Sequence, residues 1–140
     1  MSEQNIELFR RLVEAYSARD IEAFIACCHP EIEYHAAWTV PGGTVYHGHD
    51  GLRRLHQDLE EAWKEIRAKP KAFYDLGEQT LGFMTLHAGG RQSGAEVEMF
   101  IAVVAKWRDG LCVDLRNYLD RKDALMELGI SEDALEPIVP

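Results

Sequence analysis

The sequence predicts an α+β fold, with a curved antiparallel sheet wrapped around long helices in one conical domain. Three observations lead there. Apolar residues recur at helical spacing through most of the first seventy positions, and at spacing two from Phe73 onward. Helices grouped ahead of strands that are joined by short turns indicate α+β rather than a parallel sheet. The 140 residues, 46% hydrophobic and 28% charged, suit one compact globular domain.

Ile6, Phe9, Leu12, Val13 and Tyr16 form the buried stripe of an amphipathic first helix, with Glu7, Arg10, Arg11 and Glu14 between them. Asp20 is a suitable N-cap for a short second helix facing inward through Ile21, Phe24, Ile25 and Cys28, and Pro30 stops it. From Glu31 the period becomes two. Ile32, Tyr34, Ala36 and Trp38 point one way, and Glu31, Glu33 and His35 the other. The segment 39–48, with Pro41-Gly42-Gly43 inside it, reads as a loop. Asp50 then caps a long third helix with Leu52, Leu55, Leu59, Trp63 and Ile66 on its inner stripe, closed by Lys69-Pro70. Strands follow at 73–78, 80–87, 95–107 and 111–119, separated by Ala88-Gly89-Gly90 and Arg108-Asp109-Gly110. Asp120 caps a last short helix that Gly129 ends, so the domain covers 1–129 and residues 130–140 form a tail with one further turn.

Fifteen Lys and Arg against twenty-four Asp and Glu leave a net charge of −9. No basic run exceeds a pair, so neither nucleic acid nor an anionic membrane surface is an expected partner. No apolar stretch approaches the ~20 residues of a membrane span, and no export signal is visible at the N-terminus. Cys27, Cys28 and Cys112 lack metal-ligand spacing and read as small apolar side chains. A reducing, cytoplasmic location is the matching expectation.

The run SARDIEAF into HPEIEYH, the loop PGG into YHGHDGLRRL, the EAW…IRAKP segment, and RDG into RNYLDRKDAL resemble the SnoaL-like branch of the nuclear-transport-factor-2-like superfamily. The resemblance extends from the first helix to about Gly129 and implies a cystatin-like α+β roll, often dimeric. Its relatives include polyketide cyclases, ketosteroid isomerase, limonene epoxide hydrolase, scytalone dehydratase and non-catalytic ligand binders, so it implies fold more sharply than function. It also implies that Asn117 stands where limonene epoxide hydrolase has a catalytic aspartate. Tyr34 stands where that enzyme has a tyrosine positioning water. The family's other catalytic positions depart from pattern. Gly82, Met84 and Leu86 lie where the epoxide hydrolase places its Arg and Asp, and Val103 where ketosteroid isomerase has a protonated aspartate.

Alternation independently singles out the same two residues. On the last strand Leu111, Val113, Leu115, Asn117 and Leu119 share a face, so one amide stands where an apolar residue is expected. Tyr34 places a phenol on the apolar face of the first strand, where it needs a hydrogen-bond partner. Both are candidate catalytic residues or structural polar groups. Around them, Tyr16, Trp38, Leu59, Trp63, Met84, Met99, Ile101, Val103 and Leu115 are the expected ligand-binding wall. His35 falls on the outer face. It or Tyr16 is the candidate base should the strand face the other way. His47 and His49 flank Gly48 without a matching third ligand, so no metal and no cofactor are expected. There is no nucleophile elbow, phosphate loop or dinucleotide fingerprint.

Two functions fit. One is a binder of a small hydrophobic molecule in an apolar cavity. The other is a cofactor-free cyclase, isomerase or hydrolase acting by acid–base chemistry on a small carbonyl or polyketide-like compound. A homodimer is also expected. Phe100, Ala102 and Val104 make the centre of the outer sheet face apolar, and no segment of this chain is left to cover it.

Overall fold

The computed structural model describes residues 2–36 and 44–138. The Pro-Gly-Gly segment and Trp38 lie outside the described residues. Helix α1 (Ser2–Ala18) and the short α2 (Ile21–Ala26) meet at Asp20, whose carboxylate accepts from the Ala23 N–H at 3.1 Å. Strand β1 (Cys28–Ala36) pairs antiparallel with β2 (Thr44–His47), so part of the segment expected as loop is a strand, with Tyr46 opposite Tyr34. Helix α3 (Gly48–Ala62) starts at a glycine with φ 72°, and Asp50 sits inside its first turn rather than capping it.

The third helix ends earlier than its apolar spacing indicates. Trp63 is extended (φ −127°, ψ 131°), and the chain passes directly into β3 (Trp63–Asp75). Two arginines distant in sequence take over the carbonyls left at the helix end. Arg91 donates to Glu60 and Arg19 to Trp63, each at 2.9 Å. Register shifts between Trp63 and Glu65 and between Pro70 and Ala72 break the alternation of β3. An extra residue at each place hides the period of two, and Pro70, lacking an N–H, sits where the ladder is interrupted. Trp63 and Ile66 therefore belong to a strand.

Strands β4 (Gln79–Gly90), β5 (Glu96–Arg108) and β6 (Leu111–Tyr118) complete an open sheet of order β2-β1-β6-β5-β4-β3. The α+β class is as predicted, but the sheet is mixed: β1 and β6 run parallel, Tyr34 beside Leu115. Helices α1–α3 cover one face. Their stripes pack with Ile66, Phe73, Leu86, Ile101, Ala105 and Trp107 into the main core. Trp107 Nε1 donates to Thr80 Oγ1 at 2.9 Å deep in that core, and Thr80 is fully buried.

The opposite face is not bare. Helix α4 (Arg121–Leu128) is capped by Asp120 and ended by Gly129 (φ 68°). It lies on β5 and β6, where Ala124, Leu125, Leu128 and, from the tail, Leu135 pack against Phe83, Phe100, Ala102 and Val104. Arg121 spans the Phe83 and Phe100 rings at 4.4 and 5.2 Å and pairs with Glu132 at 2.7 Å. The chain thus supplies its own cover, which removes the reason given above for a homodimer on that face. The tail holds the expected turn (Glu132–Ala134) and then pairs Ile138 with Phe73 at the sheet edge.

Candidate functional site

A cavity lies between α1, α2 and the inner sheet face. Phe9, Leu12, Val13 and Tyr16 from α1 roof it, with Phe24 from α2. Its floor comes from five strands: Tyr34 (β1), Ala68 (β3), Met84 and Leu86 (β4), Ile101 and Val103 (β5), and Leu115 and Asn117 (β6). Alternation explains the set, since each strand sends every second side chain to this face. Gly82 brings α1 close to the sheet. A Cβ there would stand 2.6 Å from Met84 Cε and 3.0 and 3.2 Å from the Phe9 ring.

The polar groups are few and gather at one end. Asn117 Nδ2 donates to the Tyr34 hydroxyl oxygen at 3.1 Å. That bond uses an acceptor position of the phenol and leaves its proton free to donate, and no described residue accepts it. Burial pushes the Tyr34 phenol up to about 12, against the opposing pull of the Asn117 bond. Burial and the neighbouring Tyr34 raise Tyr16 well above its ordinary value. Both phenols stay neutral at physiological pH, which makes them hydrogen-bond donors rather than bases. Among the described lining residues there is no Asp, Glu, His, Lys, Arg or Cys. An aromatic row continues from the site, Tyr16–Phe24–Tyr34–Tyr46, with centroids 6.3–6.4 Å apart. It ends where the Tyr46 hydroxyl donates to Asp58 at 2.6 Å.

Of the residues singled out from sequence, Tyr16, Tyr34, Met84, Ile101, Val103, Leu115 and Asn117 come together around this cavity. Leu59 lines a neighbouring cavity instead, because it lies on α3 beyond the first compartment. Trp63 and Met99 are half-buried against the core away from the lining, Trp63 because it leaves the helix for β3. Phe9, Leu12, Val13, Phe24, Ala68 and Leu86 were not separable from ordinary core residues by pattern, since a cavity wall and a packed core are both apolar.

His35 faces the other side of the sheet, its Nε2 at 3.6 Å from both Glu33 and Asp114. These three carry donor atoms close enough for a metal ion, but Arg116 already holds Asp114 at 2.9 Å, and the group lies on the opposite face of the sheet from the cavity. His49 contacts the Cys28 carbonyl oxygen at 2.9 Å, so the His47/His49 pair is partly committed to structure. Burial raises Cys28 to about 12 and also raises Cys112 well above its ordinary value, which leaves both as poor nucleophiles. No described helix is long and apolar enough to cross a membrane.

Residues 9–115 match the family model described as SnoaL-like domain. Among curated proteins, none matches the sequence significantly. Solved structures match in fold. An NTF2-like protein of unknown function from Burkholderia pseudomallei is 20% identical, with TM-score 0.77 over 88% of this chain and 95% of that one. TerC, co-crystallised with polyporic acid, is 22% identical, with TM-score 0.75 over 89% and 97%. A putative SnoaL-like polyketide cyclase from Jannaschia sp. is 15% identical, with TM-score 0.74 over 89% and 91%. At these identities the likeness shows the fold.

Proposed function

The chain belongs to the SnoaL-like domain family, and from that premise we propose that its cavity binds a small hydrophobic molecule through one hydrogen-bond-accepting oxygen. The observation that carries this reading is the Asn117–Tyr34 bond at 3.1 Å, which leaves a neutral phenol donating into an apolar space. A buried donor without a partner costs roughly 1–3 kcal/mol, so a carbonyl or ether oxygen placed there recovers that cost while the rest of the ligand gains from the apolar walls. Small-molecule occupancy in a relative, TerC with polyporic acid, supports the same use of the fold.

A second reading is cofactor-free acid–base chemistry on a carbonyl or polyketide-like compound, as the name of the putative polyketide cyclase from Jannaschia sp. suggests. Tyr34 and Tyr16 are suited to polarising a carbonyl oxygen. Proton abstraction also needs a base, and the described lining offers none, which favours binding.

The test compares apolar ketones with hydrocarbons of the same shape, by calorimetry and thermal shift. Ketones are expected to bind at least tenfold more tightly, and Tyr34→Phe to erase the difference. Equal binding of ketone and hydrocarbon by the native chain would overturn the role given to Tyr34. Exchange of ketone α-protons for deuterium, faster than in buffer, would favour the catalytic reading.

A further inference from the structure

A second cavity lies under α1, α2 and α3. Leu52, Leu55 and Leu59 of α3 and Ile66 of β3 line it. Two side chains, Tyr16 and Phe24, line both cavities. Their ring centroids stand 6.4 Å apart at 51°, toward the long end of the range for aromatic pairs. The two cavities meet at this ring pair. Phe24 has no polar atom to tether it, and no hydrogen bond contributes to the raised Tyr16 phenol.

The two compartments differ in chemistry in a way that gives the pair a direction. The first has its donors at the Tyr34–Asn117 end and is otherwise apolar. The second is floored by leucines and rimmed by Arg19, Asp20, His56 and Glu60, where it meets solvent. From Tyr34 outward the order is a hydrogen-bond donor, an apolar stretch, an aromatic constriction, a leucine-lined space and an ionic rim. Leucines bordering unfilled space lack dispersion partners on that side, which an apolar chain would supply.

We propose that the two cavities are one elongated site and that its ligand is a long-chain molecule with an acceptor oxygen at one end, rather than a compact one. This rests on the reading of the first cavity given above. The oxygen sits on Tyr34, the middle of the ligand passes between the Tyr16 and Phe24 rings, and its far carbons lie on Leu55 and Leu59.

A series of 2-alkanones from six to twelve carbons tests the proposal. Each methylene drawn out of water strengthens binding about fourfold. The expected result is an affinity that keeps climbing to the longest members. NMR cross-relaxation should then run from the ligand's terminal methyl to Leu55 and Leu59, with the ketone end near Leu115. Leu55→Trp, which fills the second compartment, should weaken the twelve-carbon ketone at least tenfold and leave the six-carbon one unchanged. Circular dichroism checks that this variant folds, and the NMR measurement on the native chain decides the question alone if it does not. An affinity that stops rising with length, or a terminal methyl that contacts only Met84 and Leu115, overturns the elongated site and leaves the Tyr34 reading standing. Failure of every ketone to bind overturns the reading of the first cavity itself, and this inference with it.

Discussion

The side-chain amide of Asn117 donates to the phenolic oxygen of Tyr34 at 3.1 Å across the parallel pair of β1 and β6. The two residues lie 83 positions apart in sequence, yet each occupies the inward face of its strand. Asn117→Leu removes the donor without opening a void. Because the freed phenol borders a cavity that admits water or ligand, the expected stability cost stays under about 1.5 kcal/mol, while ketone binding weakens. Urea unfolding measures the first and calorimetry the second. A cost above about 3 kcal/mol with binding intact would make the amide a structural group.

Alkaline pH should unfold the protein through its buried phenols. Tyr34 is raised by burial to about 12, against an unfolded value near 10, and Tyr16 is raised well above that value by burial and by Tyr34. Below pH ~10 both states keep these protons, and the stabilising contribution is fully present. Between ~10 and 12 the unfolded chain loses protons that the native chain retains, so stability falls as pH rises, by about 1.4 kcal/mol per pH unit for each such phenol. Denaturant midpoints between pH 9 and 12 are the measurement. Tyr34→Phe should flatten the decline, and an unchanged slope would show that Tyr34 titrates as if exposed.

Gly82→Ala should shrink the cavity from its floor. The new methyl would stand 2.6 Å from Met84 Cε and 3.0 Å from the nearest Phe9 ring atom. The methionine end can swing away, and the space open to it is the cavity it already lines. A stability loss of about 1–3 kcal/mol accompanies the crowding. Ligand affinity should drop more than stability does, read as a fall in ligand-induced thermal shift beyond the fall in Tm.

Thr80→Val keeps the shape of a fully buried side chain and removes the acceptor for Trp107 Nε1. The orphaned indole N–H should cost about 1–3 kcal/mol. Thr80→Ser should recover most of it, which separates the lost bond from any change in packing. Ketone binding should be untouched in both variants, since neither residue lines the cavity.

Removing α4 should expose the second core cluster. Ala102 and Val104 are 0% and 6% accessible with the helix in place, and Phe83 is 2%. A chain ending at Asp120 should self-associate, seen as larger species in sedimentation at micromolar concentration, because the uncovered apolar face needs another partner. Arg121→Ala should produce a milder version, as it takes away the cation over Phe83 and Phe100 while leaving Ala124 seated.

Strand faces were legible wherever the ladder is regular. The period of two placed Tyr34 and Asn117 on one surface and His35 on the other, because neither Glu33–Ala36 nor Asp114–Tyr118 contains a register shift. The same logic failed at Trp63–Ala72, where two extra residues break the alternation and the apolar spacing before Pro70 imitates a helix. Arg19 and Arg91, which take up carbonyls at the end of α3, lie 44 and 31 residues from their acceptors, beyond the reach of any local pattern. Helix α4 was seen, but its cover over β5 was not, since Ala124, Leu125 and Leu128 make only a small apolar face. The parallel pairing of β1 with β6 leaves no trace in either strand's own residues.

That pairing has a temporal consequence. β6 is the last strand in the chain, and β1, its neighbour, is the first. During synthesis β1 and β2 can form a hairpin, and β3, β4 and β5 a meander, while no strand pairing joins the two. Only when residues 111–118 leave the ribosome can the sheet become continuous and Tyr34 meet Asn117. Closing a loop of this length is an entropic cost met before its contacts form, the kind of step that slows folding. The pocket is therefore completed, with its polar end, only by the last strand.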